Sequence, residues 1–417
     1  MEQKSTIKRF DVTSKEFQDN PYQQYEEVHE KNLILFDEGI DAYFIGRYRD
    51  VDHILKSADF STAPLAKRAE PVMGDRVLAQ MTGKEHSAKR KAVLSGLTGK
   101  LFRDKHAKMI TETTNSILEN YLHVGKIDLI KDFGKTYSIL VTLQILELPT
   151  IDYEKIAEWH RGIASFITSL KLTEQQHNYS MECSRNLINY LTPIVENHMN
   201  GQGNSGFISI LCEHENEGER MSISEIVALI LNILLAATEP SDKTLAYLFK
   251  HLLDNPDQFL RIKRDRSLIP DAIDESLRLT SPVQLIPRLA TKKATISGID
   301  IPENSLVFCL IGAANRDPDV FKTPDIFDID RKEKERASSL GKAAHHLAFG
   351  SGIHVCVGAA FSIRQIELTT NIILNKMKNI RISDGFEYSE CGLYTRGPVS
   401  LPLEFDPVKT QAHEKFS

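Results

Sequence analysis

Cysteine is scarce in this 417-residue chain: five residues, odd in number and scattered, at Cys183, Cys212, Cys309, Cys356 and Cys391. That pattern gives no disulfide framework and fits a reducing, cytoplasmic setting, with one or two thiols left for chemistry. Charge of one sign is lacking as well. Lys and Arg number 51 against 57 Asp and Glu, a net charge of −6 with no long run of either sign. Nucleic acid therefore finds no basic footprint. The opening MEQKSTIKRFDV has no apolar core, which argues against a signal peptide. No stretch approaches about 18 uninterrupted apolar residues, so no membrane span is expected. Length alone would allow two or three domains, yet no repeat, low-complexity tract or linker divides the chain. What is present is 41% hydrophobic residues, enough for a large core.

Helical periodicity dominates. It predicts helices over residues 104–122, 128–146, 152–168, 177–199 and 205–214. Strand signals are few: a hairpin from residues 33–36 and 42–45, a patch over 294–310, and the tail around PVSLPLEF. The longest helix opens at Ser222-Ile-Ser-Glu225, a capping box, and runs through IVALILNILLAA to about Leu253, before Asn255-Pro256. Such a rod is roughly 45 Å long. It is apolar nearly all round up to Ala237, hence buried. Pro240 lies in its middle, in LLAATEPSDKT, where a proline costs about 3 kcal/mol by removing a hydrogen bond and clashing with the carbonyl four residues back. A buried rod broken at its centre is a place where a ligand can meet backbone.

The sharpest signal is FGSGIHVCVG, residues 349–358. Cys356 follows a Gly-rich turn and precedes a helical run, so the helix dipole and free N–H groups favour its thiolate, which suits a metal. Phe349, Gly352, Cys356 and Gly358, with His354 between them, resemble the haem-binding loop of the cytochrome P450 monooxygenases. The resemblance implies a mainly α fold with small β-sheets around a buried haem b. The chain would form one domain over residues 1–417, β-rich near 30–60 and 285–310. Cys356 would be the axial ligand, donating electron density that favours O–O cleavage. Phe349, Gly350 and Gly358 would line the macrocycle.

Other stretches carry the same resemblance in the same order. Glu275-Ser-Leu-Arg278 matches the family's E-x-x-R helix, and residues 314–331 resemble the meander before the cysteine loop, with Arg331 completing a structural network. His86 and Arg90 (i,i+4 in EHSAKR), Arg288 and His354 resemble the propionate clamp. Ala236, Ala237, Thr238, Glu239, Pro240 and Ser241 fill the oxygen-binding bend of the central helix. Pro240 stands where the family carries a threonine that relays protons, which implies that the substrate, an ordered water, Ser241 or Glu239 supplies them.

RAEPVMGDRVLAQMTGKEHSAKR, PVQLIPR and GLYTRGPVSL, with the helix centre, resemble P450s that oxidise cyclic dipeptides. The implied reaction is N-oxygenation and aromatisation of cyclo(Leu-Leu). Val72, Met73, Val77, Leu78, Val283, Leu285 and Ile286 offer an apolar wall, and Arg68, Asn232, Gln284, Thr395 and Arg396 offer polar contacts. No flavin or iron–sulfur motif is encoded, so electrons are expected from a ferredoxin or flavodoxin with its NAD(P)H reductase. Lys89, Arg90, Lys91 and Lys100 are the expected docking face on a monomeric protein. The alternatives are a hydroxylase of another small apolar substrate, a peroxide-driven fatty-acid peroxygenase and a non-catalytic haem sensor. Peroxygenases carry proline with an arginine beside it, whereas here Glu239 would repel a carboxylate.

Overall fold

Ser222 starts the helix against which much of the chain is packed. Its hydroxyl accepts the Glu225 N–H (3.3 Å) and the Glu225 carboxylate accepts the Ser222 N–H (2.8 Å), closing the expected capping box. The helix then runs as Ile223–Asp254. The computed structural model describes residues 5–203, 205–216, 218–331 and 346–408; the first four residues of the opening stretch and Asn204 of the GQGNSG turn lie outside them. The central helix is the one described helix long and apolar enough to cross a bilayer. Its apolar residues, Ile226 to Leu231, Leu234 and Leu245 to Phe249 among them, are instead buried in the core. They pack on helices Lys135–Ile145, Glu174–Met199 and Ile269–Leu279.

Pro240 does not interrupt this helix, contrary to the expected break. The Ala236 carbonyl loses its usual donor, since proline has no N–H, but side chains brace the turns around it. Thr238 Oγ1 donates to Leu234 O (2.7 Å), Ser241 Oγ to Ala237 O (2.6 Å), Lys243 Nζ to Glu239 O (2.6 Å) and Thr244 Oγ1 to Pro240 O (2.7 Å). With both halves buried, packing holds the rod together across the defect.

The chain is mainly α, and the other helices fall close to expectation. Residues 104–122 form helix Ala107–Leu122 behind a wider π-type turn, and 128–146 form another such turn and then Lys135–Ile145. Tyr153–Thr168 and Phe207–Glu213 match, while Glu174–Met199 starts earlier because Thr173 and Gln176 form a capping box. The predicted hairpin is present, Leu33–Asp37 antiparallel to Ala42–Ile45. It sits in a six-stranded sheet with Leu306–Leu310, Leu285–Ala290 and Phe60–Ser61. Thr6–Arg9, unsuspected from sequence, adds in parallel to Leu33–Asp37 at the edge. Two apolar clusters flank this sheet, and a third, larger one fills the space between the helices.

Candidate functional site

The cysteine loop is shaped by backbone before it is shaped by side chains. Gly350 and Gly352 take φ of +74° and +73°, and a Cβ on Gly352 would lie 2.9 Å from the Leu55 carbonyl oxygen, so only glycine fits there. The Cys356 N–H donates to Phe349 O (2.9 Å), and Ser351 Oγ to Asp52 Oδ1 (2.6 Å), tying the loop to helix Tyr48–Lys56. Helix Ala359–Lys376 follows directly, so Cys356 sits at its N-terminal end. Burial pushes the thiol pKa up; the Gly358 N–H, the Arg90 guanidinium and the Ala359 N–H pull the other way. Left to itself the thiol stays protonated, and a bound cation would remove that proton.

Glu275, Arg278 and Arg331, which the family resemblance grouped, lie together and are all nearly inaccessible. Arg278 grips Glu275 through Nε and Nη2 at 2.8 Å, and Arg331 Nε lies 3.0 Å from both carboxylate oxygens. Arg278 Nη1 also donates to Asn315 O (2.9 Å), and Asn315 Oδ1 accepts the Leu347 N–H (2.7 Å). A continuous polar chain thus runs from the ion network to the base of the cysteine loop. Sequence reasoning missed Asn315, which carries no motif of its own.

Four basic groups gather beside the loop. The His86 and His354 rings are 4.9 Å apart. His354 is pushed down to about 4 by burial and by His86, Arg288 and Arg90, and burial together with Arg90 lowers His86. Burial also lowers Arg90 and Arg288, the latter 3% exposed and bonded only to its neighbour's carbonyl, Pro287 O (2.9 Å). Among the described residues no carboxylate pairs with any of the four. A buried, unpaired guanidinium is costly, so this cluster calls for an anion. Two propionates answer that need, and a macrocycle between them and the Cys356 thiol fits the donor set of haem.

Thiol, His354 and Arg288 open on a cavity of about 420 Å³ that passes under the central helix at Ala236, Glu239, Pro240 and Ser241. Of the expected pocket residues, Met73, Asn232, Val283, Ile286 and Thr395 line it, as do Phe349 and Gly350. His86 and Arg90 instead face an open groove behind the loop, with Lys84, Lys91 and Ile353; Ala237 and Gly358 do not line the cavity.

Several expected pocket residues lie elsewhere. Val72, Val77 and Leu78 are buried in the helical core, where Ser184 Oγ holds the Val72 carbonyl (2.8 Å). Strand alternation puts Ile286 and Arg288 toward the cavity and Leu285 into the aromatic cluster on the opposite face. Gln284 is spent inside: Tyr25 Oη donates to its Oε1 (2.8 Å) and its Nε2 donates to Ser281 O (2.5 Å). Arg396 pairs with Glu390 (2.7 Å) and caps the carbonyls of Gln18 and Asp19 (both 2.7 Å). Arg68 stacks 4.4 Å from the Tyr394 ring centre and donates to Ser169 O, outside the cavity lining. Lys89 leaves the expected docking face too, buried between Glu225 (2.5 Å) and Glu85 (3.0 Å).

At the proline, Glu239 is not a bare anion. Lys243, one turn on, pairs with it at 3.1 Å and with Asp242 at 3.5 Å. Burial lowers the Lys243 pKa, but Asp242 and Glu239 outweigh it and the net shift is upward. The i,i+4 spacing of Glu239 and Lys243 was the signal that sequence reasoning passed over. Ser241 is committed to the Ala237 carbonyl.

The cytochrome P450 family model matches residues 149–380. The chain is 50% identical over 402 residues to the pulcherriminic acid synthase of Bacillus subtilis (strain 168), covering 96% of this chain and 99% of that one. It is 25% identical over 407 residues to the biotin biosynthesis cytochrome P450 of the same organism, covering 95% and 98%. In fold it matches the Bacillus subtilis 168 bacillaene polyketide synthase cytochrome P450 PksS, with a TM-score of 0.83 at 22% identity over 95% of this chain and 100% of that one. Motif order, fold and relatives thus agree, and the chain belongs to the cytochrome P450 family, monooxygenases that carry haem b and take electrons from a redox partner to oxidise small molecules.

Proposed function

We propose that this chain, acting as one domain, oxidises the cyclic dipeptide cyclo(Leu-Leu) to pulcherriminic acid by N-oxygenation and aromatisation. One observation carries the reading: half-identity to a pulcherriminic acid synthase along nearly the whole of both chains. The cavity is compatible. Met73, Val283, Ile286 and Ala236 give apolar surface for two isobutyl groups, and Asn232 and Thr395 give polar atoms for amides.

In this reading the Cys356 thiolate would hold the haem iron, and Arg288, His354, His86 and Arg90 would take the propionates. Gly350 and Phe349 bound the macrocycle, and Glu275, Arg278 and Arg331 hold the loop. Bound haem supplies thiolate-supported dioxygen activation. The chain's own residues shape the pocket above it and control protons. With Pro240 lacking a hydroxyl and Ser241 committed, the remaining sources are Glu239, released from Lys243, an ordered water and the N–H groups of the substrate itself. The Glu239–Lys243 pair, in place of an arginine aimed into the cavity, gives a fatty-acid carboxylate no partner. Electrons come from a ferredoxin or flavodoxin, reduced by its NAD(P)H reductase, on the face that carries Lys84, Arg90, Lys91 and the 61% exposed Ile353. The enzyme works as a cytoplasmic monomer.

The reduced, carbon monoxide-bound holoenzyme is expected to show the thiolate-type band, and cyclo(Leu-Leu) to give a spin-state shift and an N-hydroxylated pyrazine by mass spectrometry. An imidazole-type band would overturn the Cys356 assignment. Absence of any shift or product with cyclo(Leu-Leu), while another small apolar substrate turns over, would overturn the substrate.

A further inference from the structure

Asn232 stands out within the central helix. It interrupts the run IVALILNILLAA, where a carboxamide is both a poor helix former and a poor core residue. It lies one turn before Ala236 and two before Pro240, on the side that lines the cavity. Every other hydrogen-bonding side chain that this helix turns toward the cavity is committed within the helix. Glu239 is paired with Lys243, Ser241 donates to Ala237 O, and Thr244 donates to Pro240 O. Asn232 has no hydrogen-bond partner among the described residues. The cavity that it lines takes apolar surface from Met73, Ala164, Ile167 and Leu235 among others. A carboxamide placed so, with donor and acceptor both unspent, is matched to something that enters.

Resting on the cyclic dipeptide reading, we infer that Asn232 reads the lactam edge of the substrate and so selects cyclic over linear dipeptides. A primary carboxamide presents an N–H and a C=O side by side. The cis lactam of a diketopiperazine does the same, so the two pair through two antiparallel N–H···O=C bonds. A linear peptide holds its amide trans, with N–H and C=O pointing opposite ways, and can make only one of them. In an apolar wall the pair is worth more than in water, and an unmatched edge leaves Asn232 desolvated and unpaired.

The test is a double-variant cycle on the full-length, haem-loaded protein, read by calorimetry and by spin-state titration. The ligands are cyclo(Leu-Leu) and its N,N′-dimethyl analogue, which keeps the ring and both isobutyl groups but has no N–H. The parent protein is expected to bind cyclo(Leu-Leu) about ten- to a hundredfold more tightly than the dimethyl analogue, the loss of one to two hydrogen bonds in a dry site. In Asn232→Leu and in Asn232→Ala that preference is expected to collapse to within about twofold. Two variants of different bulk guard against a packing defect, and an unchanged carbon monoxide band reports an intact haem site in each. A preference that survives in both variants, or that is missing from the parent protein, overturns the inference and leaves the substrate reading standing. Failure of the parent protein to bind either ring overturns the substrate reading, and the inference with it.

Discussion

Removing the Glu275 carboxylate is expected to cost this fold a large share of its stability. Glu275 accepts Arg278 Nε and Nη2, Arg331 Nε and the Asp328 N–H, all within 3.0 Å, and is 3% exposed. In Glu275→Ala two buried guanidinium groups lose the one carboxylate that pairs with them among the described residues. Breaking one buried pair costs about 3–5 kcal/mol, because the surviving charge stays buried. The two losses do not simply add, since the arginines share one partner. Arg278 also keeps the carbonyls of Asn315 and Pro324, and Arg331 keeps that of Ile326. An overall loss of about 3–5 kcal/mol is therefore expected, at least about a fifth of the roughly 5–15 kcal/mol that holds a typical domain. Glu275→Gln keeps the volume and one acceptor oxygen and should lose less. The polar chain through Asn315 to the Leu347 N–H carries the defect to the cysteine loop, so haem content per chain should fall with stability. Urea unfolding of the haem-loaded variants, with the haem-to-protein absorbance ratio, reads both effects. A loss below about 1 kcal/mol in Glu275→Ala would refute the reasoning that the network is held by its one buried carboxylate.

Three further perturbations follow from the same geometry. Gly352→Ala forces a side chain into φ of +73° and to within 2.9 Å of a backbone carbonyl. It should cost about 1–3 kcal/mol and lower haem retention, measured as haem transfer to an acceptor protein, whereas Gly350→Ala, with its nearest contact at 3.8 Å, should suffer only the backbone strain. Arg288→Ala removes the most buried cation of the anion-seeking cluster, and haem loss should speed up about tenfold or more, the weight of one charged hydrogen bond; the His354 pKa should rise as one repelling charge goes, read from its ring resonances in the haem-free protein. His251 is held down to about 3 by burial and then by Arg316, Lys250 and Arg278. Its unfolded value is about 6.5, so the unfolded chain binds the extra proton: the contribution is full above pH 6.5 and is lost as pH falls toward 3. In His251→Phe the fall in unfolding free energy between pH 6.5 and 4, from urea titrations, should be shallower by up to about 1.4 kcal/mol per pH unit.

What could be read from the sequence was local, and what could not depended on direction. The capping box at Ser222, the loop around Cys356 and the hairpin at Ala42–Ile45 are each written in a few adjacent residues, and each sits where its pattern put it. The strand Thr6–Arg9 has no such signature, because its pairing partner lies 27 residues away and the pairing is parallel. Pocket membership failed for a related reason: Val72 and Met73 are adjacent, both apolar and both in the core cluster, yet only Met73 also lines the cavity. Thr395 and Arg396 divide in the same way, the arginine being drawn inward by Glu390. The sharpest instance is the pair of carboxamides, Gln284 and Asn232, which composition and motif treat alike. Gln284 has its oxygen on Tyr25 and its nitrogen on Ser281 and is 1% exposed, so its amide is engaged inside the protein. Asn232 has the same donor and acceptor and no described partner for either. The difference between a core residue and a recognition residue here is which hydrogen bonds are already made, and those depend on neighbours far away in the chain.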